Sequence, residues 1–231
     1  MRASLALSLI VAGVGINATP LERRAVIAHD AVVGFAESAS ALALKYKPWL
    51  KVVNGCVPFP AVDAAGNTGG GLAPTGDPSG DCSSSTGQVY TRGEEYDNLY
   101  ALMYSWYMPK DSPSSGLGHR HDWEAIVVWL DSATAASPQI VGLSTSAHGD
   151  FDTITSDFPL DGTRPEIQYY STWPLDHQLG TTDDVGGEQP LISWENLTDA
   201  ARTALQNTDF GDAIVPFKDA TFESNLAKAA P

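Results

Sequence analysis

Between residues 88 and 170 the chain repeats one pattern that leaves few folds open. Runs rich in aromatic and β-branched residues occur at 99–108 (LYALMYSWYM), 123–130 (WEAIVVWL), 139–147 (QIVGLSTSA) and 166–173 (EIQYYSTW). Clusters of Pro, Gly, Asp and Ser separate them. Short runs of that composition, bounded by turn formers, read as strands. Helical spacing is confined to the margins: around Val33, Ala36 and Leu44 within residues 25–53, after Thr198 as an N-cap, and in residues 217–229 with Asp219 as an N-cap. No repeat and no long linker divides the 231 residues. The expected architecture is mainly β: one β-sandwich domain over residues 19–231 with flanking α-helices.

The first twenty residues, MRASLALSLIVAGVGINATP, place one arginine before an apolar stretch and then small residues. This is the pattern of a secretory signal over residues 1–18, and no later segment approaches the length of a membrane span. The pair Arg23–Arg24 reads either as a processing site or as a solvated start. Secretion makes Cys56 and Cys82 an expected disulfide, closing a Gly- and Pro-rich loop. Such a closure stabilises a fold by roughly 3–4 kcal/mol in the chain-entropy model. Asn196-Leu197-Thr198 fits a glycosylation sequon beside the helix that follows.

Net charge constrains the partners. At −15 the chain repels a phosphate backbone and an anionic membrane face, which argues against nucleic acid. Binding an anionic lipid or sugar acid then needs a bridging cation or a local cationic spot.

Residues 118–124, GHRHDWE, put two histidines, an arginine and two carboxylates in front of the apolar run AIVVWL. In a strand, Asp122 and Glu124 point to one side, and His121 and Trp123 to the other. If the preceding strand is an antiparallel neighbour, Asp111 reaches the same rim, and His119 can swing toward it from its Gly-flanked loop. Hard oxygen ligands favour Mg²⁺ or Ca²⁺ over zinc. The alternative is a solvated cluster in which Arg120 neutralises part of the charge. Farther on, Trp173 precedes Pro174, which disfavours continuing the strand. Its indole is then either exposed toward a sugar or a lipid interface, or buried under the loop that carries Asp176 and His177. Trp106, Trp129 and Trp194 read as core. Nucleophile-elbow, phosphate-loop and zinc-protease motifs are absent from the sequence.

The heptapeptide GHRHDWE resembles the signature of the necrosis- and ethylene-inducing-like proteins, secreted cytolytic toxins of plant-associated microbes. Further matches are CVPFPAVD, QVYTR, YSWYMPKD, QPLISWENL and FGDAIVPF. They extend over essentially the whole mature chain, and the cysteine pair resembles the two-cysteine branch. The resemblance implies a β-sandwich similar to actinoporins, with a divalent cation at one pole. Asp111, His119, Asp122 and Glu124 would form the cation site, Asp111 and Asp122 nearest and His119 and Glu124 partly through water. Asp176 and His177 would lie at the same pole, and Trp173 on a membrane- or sugar-facing loop. The implied target is the glycosylated inositol-phosphoceramide sphingolipid of the plant outer leaflet, bound peripherally and then permeabilised.

Two other readings stay open on the same residues. One is a cation-dependent polysaccharide hydrolase or lyase with His119 or His177 as general base. The other is a non-toxic, lectin-like elicitor.

Overall fold

The computed structural model describes residues 24–231. The expected leader, the domain start at residue 19 and Arg23 lie outside the described residues. From the amino end come β1 (Val26–Ile27), α1 (Ala41–Lys45), β2 (Trp49–Val52) and β3 (Thr68–Gly69). Then follow β4 (Val89–Tyr96), β5 (Leu99–Asp111), β6 (His119–Leu130), β7 (Ile140–Ala147) and β8 (Asp150–Ile154). The chain finishes with β9 (Leu160–Asp161), β10 (Arg164–Tyr170), β11 (Gln178–Thr181), β12 (Leu191–Ser193), α2 (Asp199–Asn207) and α3 (Phe222–Ala229).

The four apolar runs lie on β5, β6, β7 and β10. Strands β4 to β8 form an antiparallel meander, extended at β4 by parallel β12 into the order β12-β4-β5-β6-β7-β8. A smaller sheet, β11-β10-β2 with β9 beside β10, packs through β11 against β6 and β7. The result is the expected sandwich. Strands β5 and β6 are buried along nearly their full length, as strands covered on both faces must be. Trp106, Trp129, Tyr104, Tyr169 and Phe217 are fully enclosed. Trp194 is not core: it is half-buried in a short 3₁₀ turn, packed edge-on to Phe217 with the Arg92 guanidinium over its ring.

Cys56 and Cys82 are bonded, their Cα atoms 5.0 Å apart. The loop they close lies along the main sheet, with Phe59 N–H donating to the Tyr107 carbonyl at 2.8 Å.

The helical expectation for residues 25–53 holds only over α1. Here the backbone finds its partners outside the segment. Phe35 N–H donates to Gln88 Oε1 (2.6 Å), and Ser38 exchanges backbone bonds with Leu191 and Ser193 (2.8 and 3.0 Å). Tertiary partners replaced the i−4 carbonyls of a helix. Pro48 then ends the helical stretch before β2. Thr198 does cap α2, its side chain accepting from Ala201 N–H at 3.1 Å. Asp219 does not cap α3. Its carboxylate is engaged by Arg92 at 2.7 Å and by Gln206, and the helix starts after Thr221.

Candidate functional site

The heptapeptide opens β6 at the rim where β5 ends, and the antiparallel register sets Asp111 directly opposite His119. Strict alternation would leave His119 on the His121 side, away from Asp122 and Glu124. Both strands are irregular at one level, however. The pairing passes from Met108 to Lys110 without Pro109, and His121 across from it holds a left-handed φ of 63°. This local irregularity reverses the alternation at the rim. Asp111 and His119 thereby line the same cleft as Asp122 and Glu124.

The reversal also takes the two neighbouring basic side chains, Arg120 and His121, away from the carboxylates. His121 turns to the opposite side, its Nδ1 2.6 Å from the Tyr107 hydroxyl and its ring edge-on to Phe210. Arg120 donates to the Gly70 and Gly71 carbonyls at 2.8 and 3.0 Å. It does not offset the carboxylates, contrary to the salt-bridge alternative. Gly118, at φ 86°, makes the approach possible, because a Cβ there would stand 2.4 Å from the Asp111 carbonyl oxygen.

Asp111 is 1 % exposed and held from one side by His177. The His177 ring Nδ1 and backbone N–H contact its two carboxylate oxygens at 2.6 and 2.9 Å. Asp111, His119 and Asp176 each present a ligand atom, all within 4.8 Å of one another. Asp122 and Glu124 are buried outside this trio. Tyr169 hydroxyl donates to Asp122 at 2.7 Å, and Ser146 hydroxyl donates to Glu124. Tyr169 also stacks on His177 with 4.6 Å between centroids. A chain of contacts therefore runs from Asp111 through His177 and Tyr169 to Asp122.

His177 Nε2 is buried without a partner, and a Cβ at Gly55 would approach it to 2.5 Å. The ring thus works as a brace for Asp111. Trp173 is 71 % exposed and Leu175, beside it, 56 %. Of the two readings of Trp173, the exposed one is correct.

Burial and then the charge of Asp111 push the Asp122 carboxyl up to about 7, partly offset by the Tyr169 hydrogen bond. Burial and Asp122 raise Glu124 well above the ordinary carboxylate range. Burial alone would depress His119. The hydrogen bond to the His121 carbonyl and the charges of Asp122, Asp111 and Asp176 outweigh it and raise the ring. Burial makes charge on Asp122 and Glu124 costly, and the neighbouring carboxylates add to that cost, so a proton or a cation is favoured here. Oxygen donors with one imidazole suit a hard divalent ion. Asp111, His119 and Asp176 are close enough together to share one ion, and Asp122 and Glu124 line the same cleft, buried beside them.

The trio lines a cleft of about 850 Å³ that is also lined by residues of α3 and of the β7–β8 turn. Lys228 is the one lysine or arginine among the described residues that line it, and its Nζ donates to the Gly149 carbonyl. Tyr169, Ser146 and Gly55 carry no local signal that would tie them to this site, since each reaches it through a different strand or loop.

Residues 40–229 match the model of the necrosis inducing protein (NPP1) family. NLP effector protein 10 of Phytophthora capsici is 54 % identical over 217 residues, 90 % of this chain and 92 % of the relative. The solved structure of NLPPya in complex with mannosamine is 54 % identical, with a TM-score of 0.84 over 89 % of this chain and 99 % of that one. A non-toxic protein, HaNLP3, has a crystal structure with 42 % identity and a TM-score of 0.85, covering 88 % of this chain and 99 % of its own.

Proposed function

The chain belongs to the necrosis-inducing protein (NPP1) family, and on that premise we propose that it is a secreted, cation-dependent toxin of plant membranes. It binds the sugar head group of glycosylated inositol-phosphoceramides in the outer leaflet and permeabilises the bilayer without catalysis. The observation that carries this reading is the trio Asp111, His119 and Asp176, gathered in a cleft, with the exposed Trp173 three residues before Asp176 on the same loop. A chain of net charge −15 needs a local positive charge to hold a head group that carries phosphate and sugars. Mg²⁺ or Ca²⁺ supplies it when bound, and sugar hydroxyls can replace its waters. Asp111 is fixed for that task by His177, and Asp122 and Glu124 supply buried negative charge that retains the ion.

Trp173 and Leu175 project from the loop that carries Asp176, so a ligand at the trio brings an apolar pair to the lipid interface. No helix among the described residues is long and apolar enough to cross a membrane, and the reading requires shallow, peripheral contact. An amino sugar in the NLPPya complex supports sugar recognition on this fold. The resemblance to non-toxic HaNLP3 favours a second reading: head-group binding without lysis.

Dye release from vesicles made with glycosylated inositol-phosphoceramide decides between them. Leakage that needs the lipid, the cation and Asp122 is expected, with Asp122→Ala folded by circular dichroism. Leakage retained by that folded variant or in chelator overturns the cation reading. Binding without leakage gives the non-toxic one. Product release from a glycan panel would revive the hydrolase or lyase.

A further inference from the structure

We propose that the cleft is a two-part glycan site, in which the ring held at the ion end is followed by a second sugar seated against the polar face of α3. This rests on the sugar-binding reading above. Thr221, the residue before α3, and Ser224, Asn225 and Lys228 of α3 also line the cleft, at the i, i+3, i+4 and i+7 spacing of one helix face. Phe222, Leu226 and Ala229, on the other face, are buried in the core. Asp150 and Phe151 at the start of β8, which adjoins α3, and the segment that carries Asp212 and Ile214 complete this part of the lining. None of these residues belongs to the trio at the ion end.

The α3 side of the cleft is held by hydrogen bonds. Lys228 Nζ donates to the Gly149 carbonyl at 2.6 Å, tying α3 to the β7–β8 turn. Asn225 Nδ2 donates to the Pro216 carbonyl at 2.9 Å, and Ser224 Oγ to the Thr221 carbonyl at 2.9 Å. Hydrogen-bonding capacity is left over: Asn225 Oδ1, the Ser224 lone pairs and the further N–H groups of Lys228 face no protein partner among the described residues. Asp150 and Asp212 add acceptors, and Ile214, 58 % exposed, adds an apolar surface. That mixture of donors, acceptors and one apolar platform suits a sugar ring. Two carboxylates against one ammonium disfavour a second anion, so the occupant is a neutral or amino sugar. At about 850 Å³ the cleft has the size of a whole-ligand site rather than an ion cradle.

Calorimetric titration in Ca²⁺ tests this with two probes: glucosamine, and the intact inositol-phosphate head group carrying two or more sugars. The wild type is compared with Asn225→Ala/Lys228→Ala and with Ser224→Trp, which fills the wall from an exposed position; melting curves establish that each is folded. The wild type should prefer the longer probe by about tenfold or more, and both variants should lose that preference while binding glucosamine unchanged. Equal wild-type affinity for the two probes, or a preference kept by both folded variants, overturns the second subsite and leaves the ion end standing. Binding of neither probe by the wild type overturns both readings together.

Discussion

Replacing Asp122 by Asn should stabilise the ion-free protein while destroying its response to cations. Asp122 is buried beside Asp111 and Glu124, and its carboxyl is raised from 3.8 to about 7. An unfolded chain ionises this group near 3.8. From there to about pH 7 the folded state is penalised, losing about 1.4 kcal/mol for each pH unit. The cost reaches about 4 kcal/mol by pH 8 and vanishes well below pH 3.8. Asparagine has nearly the same shape, carries no charge, and still accepts from the Tyr169 hydroxyl that now donates at 2.7 Å. In chelator at pH 8 the variant should melt about 5–15 °C above the wild type. The gap should shrink to a few degrees at about pH 4. Millimolar Ca²⁺ should then raise the wild-type melting temperature and leave the variant nearly unmoved. Differential scanning calorimetry in chelator and in Ca²⁺ reads all three. A variant that melts at or below the wild type in chelator at pH 8, or a gap that does not narrow in acid, would refute the account of Asp122 as a stored charge.

Gly118→Ala places a Cβ 2.4 Å from the Asp111 carbonyl at a φ of 86°; it should cost about 1–3 kcal/mol and abolish the Ca²⁺-induced rise in melting temperature. Trp173→Ala removes an indole that is 71 % exposed; vesicle leakage should fall about tenfold, while stability stays within about 0.5 kcal/mol of wild type in urea titration. Replacing Cys56 and Cys82 together by serine should lower stability by about 3–4 kcal/mol for a bridge between residues 26 apart. Thr198→Ala deletes the cap to Ala201 N–H and the bond to the Ala64 carbonyl, and should cost about 1 kcal/mol by the same measurement.

The sequence by itself determined the β architecture, because residues 99–108 and 123–130 are too apolar and too rich in aromatic and β-branched side chains for anything but buried strands. It determined the disulfide, the Thr198 cap and the crowding of charge at 118–124, all carried by short-range chemistry. Tertiary structure decided the rest. Residues around Val33 and Ala36 have helical spacing, yet Gln88, Leu191 and Ser193 supply their backbone partners, and no local signal could have named them. Asp219 has the look of a cap and serves instead as the partner of Arg92, 127 residues away. At the candidate site, alternation along β6 placed Asp122 and Glu124 correctly. His119 joined them only through the left-handed turn of His121 against the skipped Pro109, which becomes defined once β5 and β6 pair. The polar shell of Tyr169, His177 and Ser146 comes from β10, the following loop and β7. A buried charge is satisfied by whatever the fold brings within hydrogen-bonding distance, and distance in space is what a linear sequence does not record.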